Sequence, residues 1–275
     1  MTEKHLILVD SSYTSFYRFF ATLRWYSLTN PDDYKLNNNP EYNWLDNQIF
    51  IEKYEKMYLD SIIKLIGKKN YKNSEVIFCM DSPKEDLWRT ELKPDYKGDR
   101  CDLTKKSNFR PTFEYTYNKI IPKLIKENQN MSSIRLDKLE ADDIIAIICK
   151  EYELLDKNRI IYLISGDNDF LQLGRKNLFF TNYKTKELKE IDKKEALELL
   201  TTKIILGDKS DCIPSIFTKK TSSKLKKELI ESNDKLIDYL NLNPDSKKQY
   251  ELNKKIIDFN NIPPKFYNKI IKYIN

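Results

Sequence analysis

The residues of this chain best placed to do chemistry are acids that close apolar runs. His5-Leu-Ile-Leu-Val ends on Asp10, the run Glu75 to Met80 is followed at once by Asp81, and Ile160-Ile-Tyr-Leu-Ile-Ser-Gly leads into Asp167-Asn-Asp169. Leu139-Glu140-Ala-Asp142-Asp143 opens another apolar run, with its acids bunched at the front. Any one of these is explained as well by a turn, or by a helix start where carboxylates meet the positive end of the dipole. All of them together, in this order, point to a shared acidic centre. Packed carboxylates disfavour one another's ionisation unless cations intervene, and an all-oxygen donor set suits hard ions such as Mg²⁺ or Mn²⁺. His5 is the only histidine, so a histidine-based triad or metal cluster is excluded. Cys79, Cys101, Cys149 and Cys212 form no Cys-x-x-Cys pair and read as reduced, packed thiols.

The elements that must hold these acids follow from the apolar pattern. Segments 6–9, 76–80 and 160–164 are short buried runs and predict one parallel sheet with right-handed helical crossovers. Open α/β sheets bind ligands outside the carboxyl ends of their strands, so the acids would gather at that edge. Glu140 and Asp143 share one helix face. Residues 29–47, rich in Asn, Asp and Pro, predict a surface loop, and 49–66 a packing helix ended by Gly67. Segments 177–183 and 187–191 predict paired strands, and 193–206 an amphipathic helix. The fold class is therefore α/β.

Charge is unevenly spread along the 275 residues, whose net charge is +6. Between Lys93 and Lys126 there are nine Lys or Arg residues against four acids, so this segment is distinctly basic. There Tyr96, Phe109, Phe113, Tyr115 and Tyr117 interleave with Lys97, Arg100, Lys105, Lys106 and Arg110, a pattern suited to single-stranded nucleic acid. A solvated face over packed aromatics is the plainer explanation, and proximity to the acids weighs against it. A second basic cluster, Lys219, Lys220, Lys224, Lys226 and Lys227, suits a sequence-blind grip on phosphates. No secretory leader and no apolar run of membrane-spanning length is seen, so a cytoplasmic protein without membrane contact is expected.

The ordered motifs resemble the 5′-nuclease family, which includes flap endonucleases, the 5′ nuclease domain of bacterial DNA polymerase I and the ribonuclease H of certain bacteriophages. They are Leu-Val-Asp10-Ser-Ser, Asp81, Tyr-Lys97-Gly-Asp-Arg100, Leu-Glu140-Ala-Asp142-Asp143, Ser-Gly-Asp167-Asn-Asp169 and Gly-Asp208-Lys-Ser-Asp211-Cys-Ile-Pro214. They span roughly three quarters of the chain, a more specific signal than any single motif. The resemblance implies a PIN-like core over residues 1–190, with a mostly parallel central sheet flanked by helices and a basic helical arch at about 88–130. It implies a helical, helix-turn-helix-type duplex-binding subdomain over 191–275.

It further implies two Mg²⁺ ions, with Mn²⁺ able to substitute, bridging the scissile phosphate. Asp10, Asp81, Glu140 and Asp142 would surround the first ion, with Asp167 beside it and Asp143 in the same acidic set. Asp169, Asp208 and Asp211 would serve the second, directly or through waters. Lys97 and Arg100 would stabilise charge on the phosphate, and Tyr96 would stack on an end base. Lys105, Lys106, Arg110, Lys219, Lys220 and Lys224 would contact nucleic acid.

The implied substrates are branched DNA, 5′ flaps and RNA/DNA hybrids. The implied setting is a monomer in the cytoplasm, that of the host if the chain is viral, with single-strand-binding protein or a sliding clamp as possible partners. The chain departs from the family where Ser215-Ile-Phe-Thr218 stands in place of a potassium-binding Gly-x-Gly hairpin. Two other readings remain open: a single-strand ribonuclease with a PIN-like acidic site, and an inert module that holds branched DNA.

Overall fold

The computed structural model describes residues 4–33, 36, 39–98, 108–218 and 221–274. Six strands form one sheet: β1 (His5–Asp10), β2 (Ser74–Met80), β3 (Met131–Arg135), β4 (Ile161–Ile164), β5 (Leu178–Thr181) and β6 (Lys189–Glu190). Their order is β3-β2-β1-β4-β5-β6, and every neighbouring pair is parallel except β5 with β6. The helices are α1 (Ser11–Thr29), α2 (Gln48–Ile66), α3 (Lys68–Lys72), α4 (Trp88–Leu92), α5 (Arg110–Tyr115), α6 (Ile121–Glu127), α7 (Ala141–Leu155), α8 (Lys193–Leu206), α9 (Ser223–Glu231), α10 (Asn233–Leu242), α11 (Pro244–Ile257) and α12 (Pro264–Ile274).

The central strands explain the two-layered core. β1 alternates across the sheet: Leu6 and Leu8 join one cluster with Ile144, Ile148 and Leu163, whereas Ile7 and Val9 join another with Phe19, Phe50, Tyr54 and Phe78. Side chains of a strand point to opposite faces in turn, and burial on both faces demands an unbroken apolar run. Each fully buried Leu or Ile contributes about 1.5–3 kcal/mol. Helix α7 covers the first face, while α1 and α2 cover the second.

The expected three-strand parallel core is present. β3 went unread because Met131-Ser-Ser-Ile-Arg135 has only two buried positions and lies at the sheet's edge. The expected pair 177–183 and 187–191 forms, but its ladder is limited to Phe179 with Glu190 and Phe180 with Lys189. Helices α5 and α6 run on through a π-turn at Thr116–Ile120. Pro122, at the start of α6, lacks the N–H that an α-helical register would use there.

The residues expected to form a helical subdomain divide among three packing environments, one of them made by Ile204, Ile213, Ile256 and Ile257 with Leu87 and Tyr96. Ile205, Ile216, Leu229, Leu236 and Leu240 form a cluster of their own across α8, α9 and α10. Phe266 and Ile270 of α12 instead join the core beneath α7.

Candidate active site

Three strand ends and one helix start build the first group of acids. Asp10 ends β1 and caps α1, accepting from the Tyr13 backbone N–H at 3.0 Å and from Ser165 Oγ at 2.7 Å. Asp81 follows β2; its Oδ1 accepts from the backbone N–H of Ala141, the first residue of α7, at 2.7 Å, and its Oδ2 accepts from Ser12 Oγ. In-register pairing of β1 with both β2 and β4 brings Asp10, Asp81 and the 165–167 turn to one edge. The geometry of that turn is specific, because a Cβ on Gly166 would lie 2.4 Å from the Tyr13 ring.

Burial pushes the Asp10 carboxyl up to about 7, with Asp81 and then Asp167 adding repulsion against its hydrogen bonds from Tyr13 and Ser165. Burial also raises Asp81, and it raises Asp142 well above the carboxylate range, where Asp167, Glu140 and Asp10 repel it and Lys97 partly relieves it. A site that makes ionisation this costly is a site short of positive charge.

Asp167 links the first group to a second, Asp169, Asp208 and Asp211, of which Asp169 and Asp208 line the same cleft. Asp167 Oδ1 accepts from the Asp169 backbone N–H at 2.8 Å, while Asp208 is bound by the Ser210 N–H at 2.8 Å and Ser210 Oγ at 2.6 Å. Gly207 makes this turn possible: its φ is 72°, and an added Cβ would lie 2.4 Å from the carbonyl oxygen of Ile213. Asp169, Asp208 and Asp211 each offer an oxygen within 4.8 Å of the others. Lys203 of α8 projects into the cluster, pairing with Asp169 and, at 2.7 Å, with Asp208. Burial opposes ionisation of Asp208, but Lys203 and Ser210 hold it down at about 2.

The cleft between the groups has a volume of about 770 Å³ and is lined by Asp10, Asp81, Glu140, Asp142, Asp167, Asp169 and Asp208 together with Lys97 and Lys203. Its carboxylates, raised by burial on one side and gathered around an ammonium on the other, fit a set of hard divalent cations. Lys203 stands where a cation is called for.

Not every expected acid faces that space. Asp143 is fully buried, paired with Arg89 at 2.8 Å and bound by Trp88 Nε1 at 3.0 Å and the Glu140 backbone N–H at 3.1 Å. Its expected place among the metal ligands is therefore corrected: its carboxylate anchors α4 to α7. Glu140 lines the cleft, yet both its oxygens are engaged, one by Lys97 and the other by Arg89 at 3.0 Å and Tyr96 Oη at 3.1 Å. Burial alone would raise Glu140, but Lys97 and Arg89 overcome it and hold the group ionised below its ordinary value.

Tyr96 is likewise buried, its hydroxyl donating to Glu140 and, at 3.4 Å, to Asp211. It presents no open ring for a base, which corrects the expected stacking. Lys97 adopts a left-handed φ of 56° and is 8% exposed, so its ammonium is directed inward to Glu140 rather than out to solvent. Burial would depress it, but Glu140 raises it well above the lysine range, so it stays charged.

The aromatics of this basic segment are mostly inward as well. Phe109 packs on Phe16, Phe19 and Phe20, Tyr115 donates to Glu55, and Tyr117 shares a 2.7 Å hydrogen bond with Ser12. Arg110 is exposed and lines a smaller cavity with Asp81, Phe113 and Arg135. Lys224 is exposed on α9. Arg100, Lys105, Lys106, Lys219 and Lys220 lie outside the described residues.

Sequence reasoning missed Lys203, Arg89, Ser12 and Ser165. Lys203 had one visible signal, standing five residues before Asp208 at the end of an apolar helix, which places it a helical turn and a tight turn away. Arg89 had a weaker one, a charge set beside Leu87 and Trp88.

A mostly parallel sheet whose carboxyl edge carries a wall of carboxylates around a buried lysine defines a metal-assisted hydrolase of the resolvase-like class. Residues 5–201 match the family described as 5′-3′ exonuclease, N-terminal resolvase-like domain, and the chain belongs to it. It is a hydrolytic nuclease of the 5′-3′ exonuclease family. It is 29% identical over 221 residues to ribonuclease H of Enterobacteria phage T4, a match covering 74% of this chain and 70% of that protein. It is 30% identical over 169 residues to the 5′-3′ exonuclease of Mycoplasmopsis pulmonis strain UAB CTIP, covering 58% of this chain and about half, 52%, of that one. The fold is similar to that of the bacteriophage T5 protein co-crystallised with metal ions, with a TM-score of 0.67 at 19% identity over 98% of each chain. A T5 flap endonuclease complex with DNA and metal ions aligns over 98% of each chain with a TM-score of 0.62 at 19% identity. Among the described residues, no helix is long and apolar enough to cross a membrane.

Proposed function

We propose that the chain is a structure-selective, divalent-metal-dependent 5′ nuclease that hydrolyses phosphodiester bonds in DNA and RNA/DNA as a 5′ to 3′ exonuclease and flap endonuclease, removing RNA primers and 5′ flaps in replication. The observation that carries this reading is a single cleft lined by Asp10, Asp81, Glu140, Asp142, Asp167, Asp169 and Asp208, with the ammonium of Lys97 paired to Glu140 at its border. Two Mg²⁺ ions, or Mn²⁺ in their place, supply Lewis-acid stabilisation of the attacking and leaving oxygens when bound there.

Asp10, Asp81 and Asp142, with Asp167 beside them, are the residues that would hold one ion, and Asp169, Asp208 and Asp211 the other. Glu140 acts by orienting Lys97, whose charge offsets that building on the scissile phosphate. Arg100 has the same role in this reading. The basic segment at about 88–130 borders the path of the single strand, with Arg110, Lys105 and Lys106 available to its phosphates. Lys219, Lys220 and Lys224 grip the duplex from the helical part, 191–275, in a salt-dependent way. A cytoplasmic monomer working beside a single-strand-binding protein or sliding clamp fits this role. The T5 complex with DNA and metal ions, and the phage T4 relative named a ribonuclease H, support both substrate classes.

The test is cleavage of a 5′-labelled branched duplex carrying an RNA or a DNA flap, with Mg²⁺ and with chelator, beside an unbranched duplex. Mg²⁺-dependent release of short products at the junction is expected. Cleavage of single-stranded RNA regardless of branching would overturn the reading.

A further inference from the structure

The carboxylate cleft does not end at Asp81. A second cavity of about 320 Å³ adjoins it, and Ser12, Asp81, Ser82 and Phe113 line both spaces. The further walls of the second are Arg110 of α5, Tyr117 of the π-turn and Arg135, the last residue of β3. Because the strand order is β3-β2-β1-β4, the carboxyl edge of the sheet runs from Asp167 through Asp10 and Asp81 to Arg135. Lys203 and Asp208 line the first space and not the second, so the two cavities lead away from the helical part past the acids and toward β3.

Arg135 is seated at two points. Its Nε donates to the Asp81 carbonyl at 3.0 Å, and its guanidinium carbon lies 5.6 Å from the centre of the Tyr117 ring. Tyr117 Oη in turn shares a 2.7 Å hydrogen bond with Ser12 Oγ, which donates to the Asp81 carboxylate. Arg135 is nevertheless an exposed residue, and among the described residues its two Nη groups have no partner. Arg110 is exposed as well and makes no hydrogen bond or ion pair among the described residues. The acids of the cavity, Asp81 and Glu114, form an ion pair with neither arginine.

A guanidinium held by its Nε and its face, with both Nη groups open to solvent, presents the donors that suit a phosphate oxygen. Its seat on Tyr117 and Asp81 also removes side-chain freedom that binding would otherwise have to remove. The residue that carries Arg135 on its carbonyl is the one whose carboxylate faces the cleft, so a phosphate at Arg135 neighbours a phosphate at the acids. Phe113, bordering both spaces, offers a ring to a base between them. At about 320 Å³ the second space is at the small end of ligand pockets, the scale of a nucleotide rather than of a duplex.

We propose that Arg135, with Arg110, holds a phosphodiester of the single strand on the side of the scissile bond away from the duplex, so that a 5′ flap leaves the cleft between α5 and the end of β3. The direction of the strand rests on the nuclease reading, in which the duplex is held by 191–275 and enters at the Lys203 end. The phosphate contact itself rests on the cavity and its two open arginines. Arg135 lies outside the basic segment, and its role depends on β3 lying beside β2.

The experiment measures binding, by fluorescence anisotropy in chelator, of a duplex carrying a short oligothymidylate 5′ flap and of the same duplex without the flap. The flap should add affinity in the parent protein, and Arg135→Gln and Arg110→Gln should each reduce that gain by roughly three- to tenfold. For each arginine removed, the slope of log affinity against log salt should become shallower by about 0.7 on the flapped duplex. Arg135→Lys, which keeps the charge without the fork, should lose less than Arg135→Gln. With Mg²⁺ present, the cleavage rate on flapped relative to flapless duplex should fall in the same order, whereas a merely disturbed Asp81 would slow both substrates alike. A flap that adds no affinity, equal losses on the two duplexes, or no loss in either variant would overturn the proposal. A parent protein that cleaves neither substrate would refute the nuclease reading alone, and the flap's share of binding would still decide the phosphate site.

Discussion

Replacing Asp10 with asparagine should make the metal-free protein more stable, although the residue belongs to the proposed catalytic centre. Asparagine caps a helix as well as aspartate, can still accept from the Tyr13 N–H, and can turn its amide toward Ser165 Oγ. What it removes is a charge that burial, Asp81 and Asp167 disfavour, raising the carboxyl from 3.8 to about 7. Because the folded state holds that proton more tightly than the unfolded chain, the Asp10 contribution is most favourable below about 4. It becomes less favourable as pH rises toward 7 and is a full penalty above that. The climb corresponds to about 4 kcal/mol at most, of which the burial of a polar amide returns part, leaving about 2–3 kcal/mol.

Thermal and urea unfolding in chelator at pH 8 should therefore show Asp10→Asn melting roughly 4–10 °C above the parent, with the two converging toward pH 4. Saturating Mg²⁺ should reverse the order at pH 8, since the parent then gains the binding energy of a ligand that the variant lacks. A variant less stable than the parent at pH 8 in chelator would refute the reasoning, for it would mean that the bonds from Tyr13 and Ser165 outweigh the crowding of charge.

Arg89→Met should cost about 3–5 kcal/mol in urea unfolding, because Glu140 and Asp143 would remain buried with their shared cation gone. An unchanged midpoint would remove Arg89 from the structural core of the site. Lys203→Met should tighten Mn²⁺ binding at Asp169 and Asp208, measured by calorimetry, since an ammonium that competes for both carboxylates is removed; weaker binding would show that the lysine instead holds them in place. Gly207→Ala should lower the unfolding midpoint and weaken metal binding together, because the backbone φ of 72° and the Ile213 carbonyl leave no space for a methyl group beside Asp208. A fully stable variant would mean that the turn relaxes freely.

The sheet's centre and most of the acidic wall were legible in the residues alone. Leu6 to Val9, Val76 to Met80 and Ile161 to Ile164 are apolar on consecutive positions, which only a strand buried on both faces requires, and parallel strands bring the residues that follow them to one edge. Asp10, Asp81 and the 165–169 turn were legible for that reason. β3 was not, because an edge strand with two buried side chains leaves little hydrophobic pattern. Tertiary structure alone decided which acids serve the cleft and which serve the core. Asp142 and Asp143 are adjacent in sequence, but successive residues of a helix point about 100° apart, and Arg89, 54 positions before Asp143, claims the second of them. The inward turn of Tyr96 and Lys97 and the bridge of Lys203 between Asp169 and Asp208 likewise depend on partners distant in the chain. No local spacing encodes such contacts; packing does.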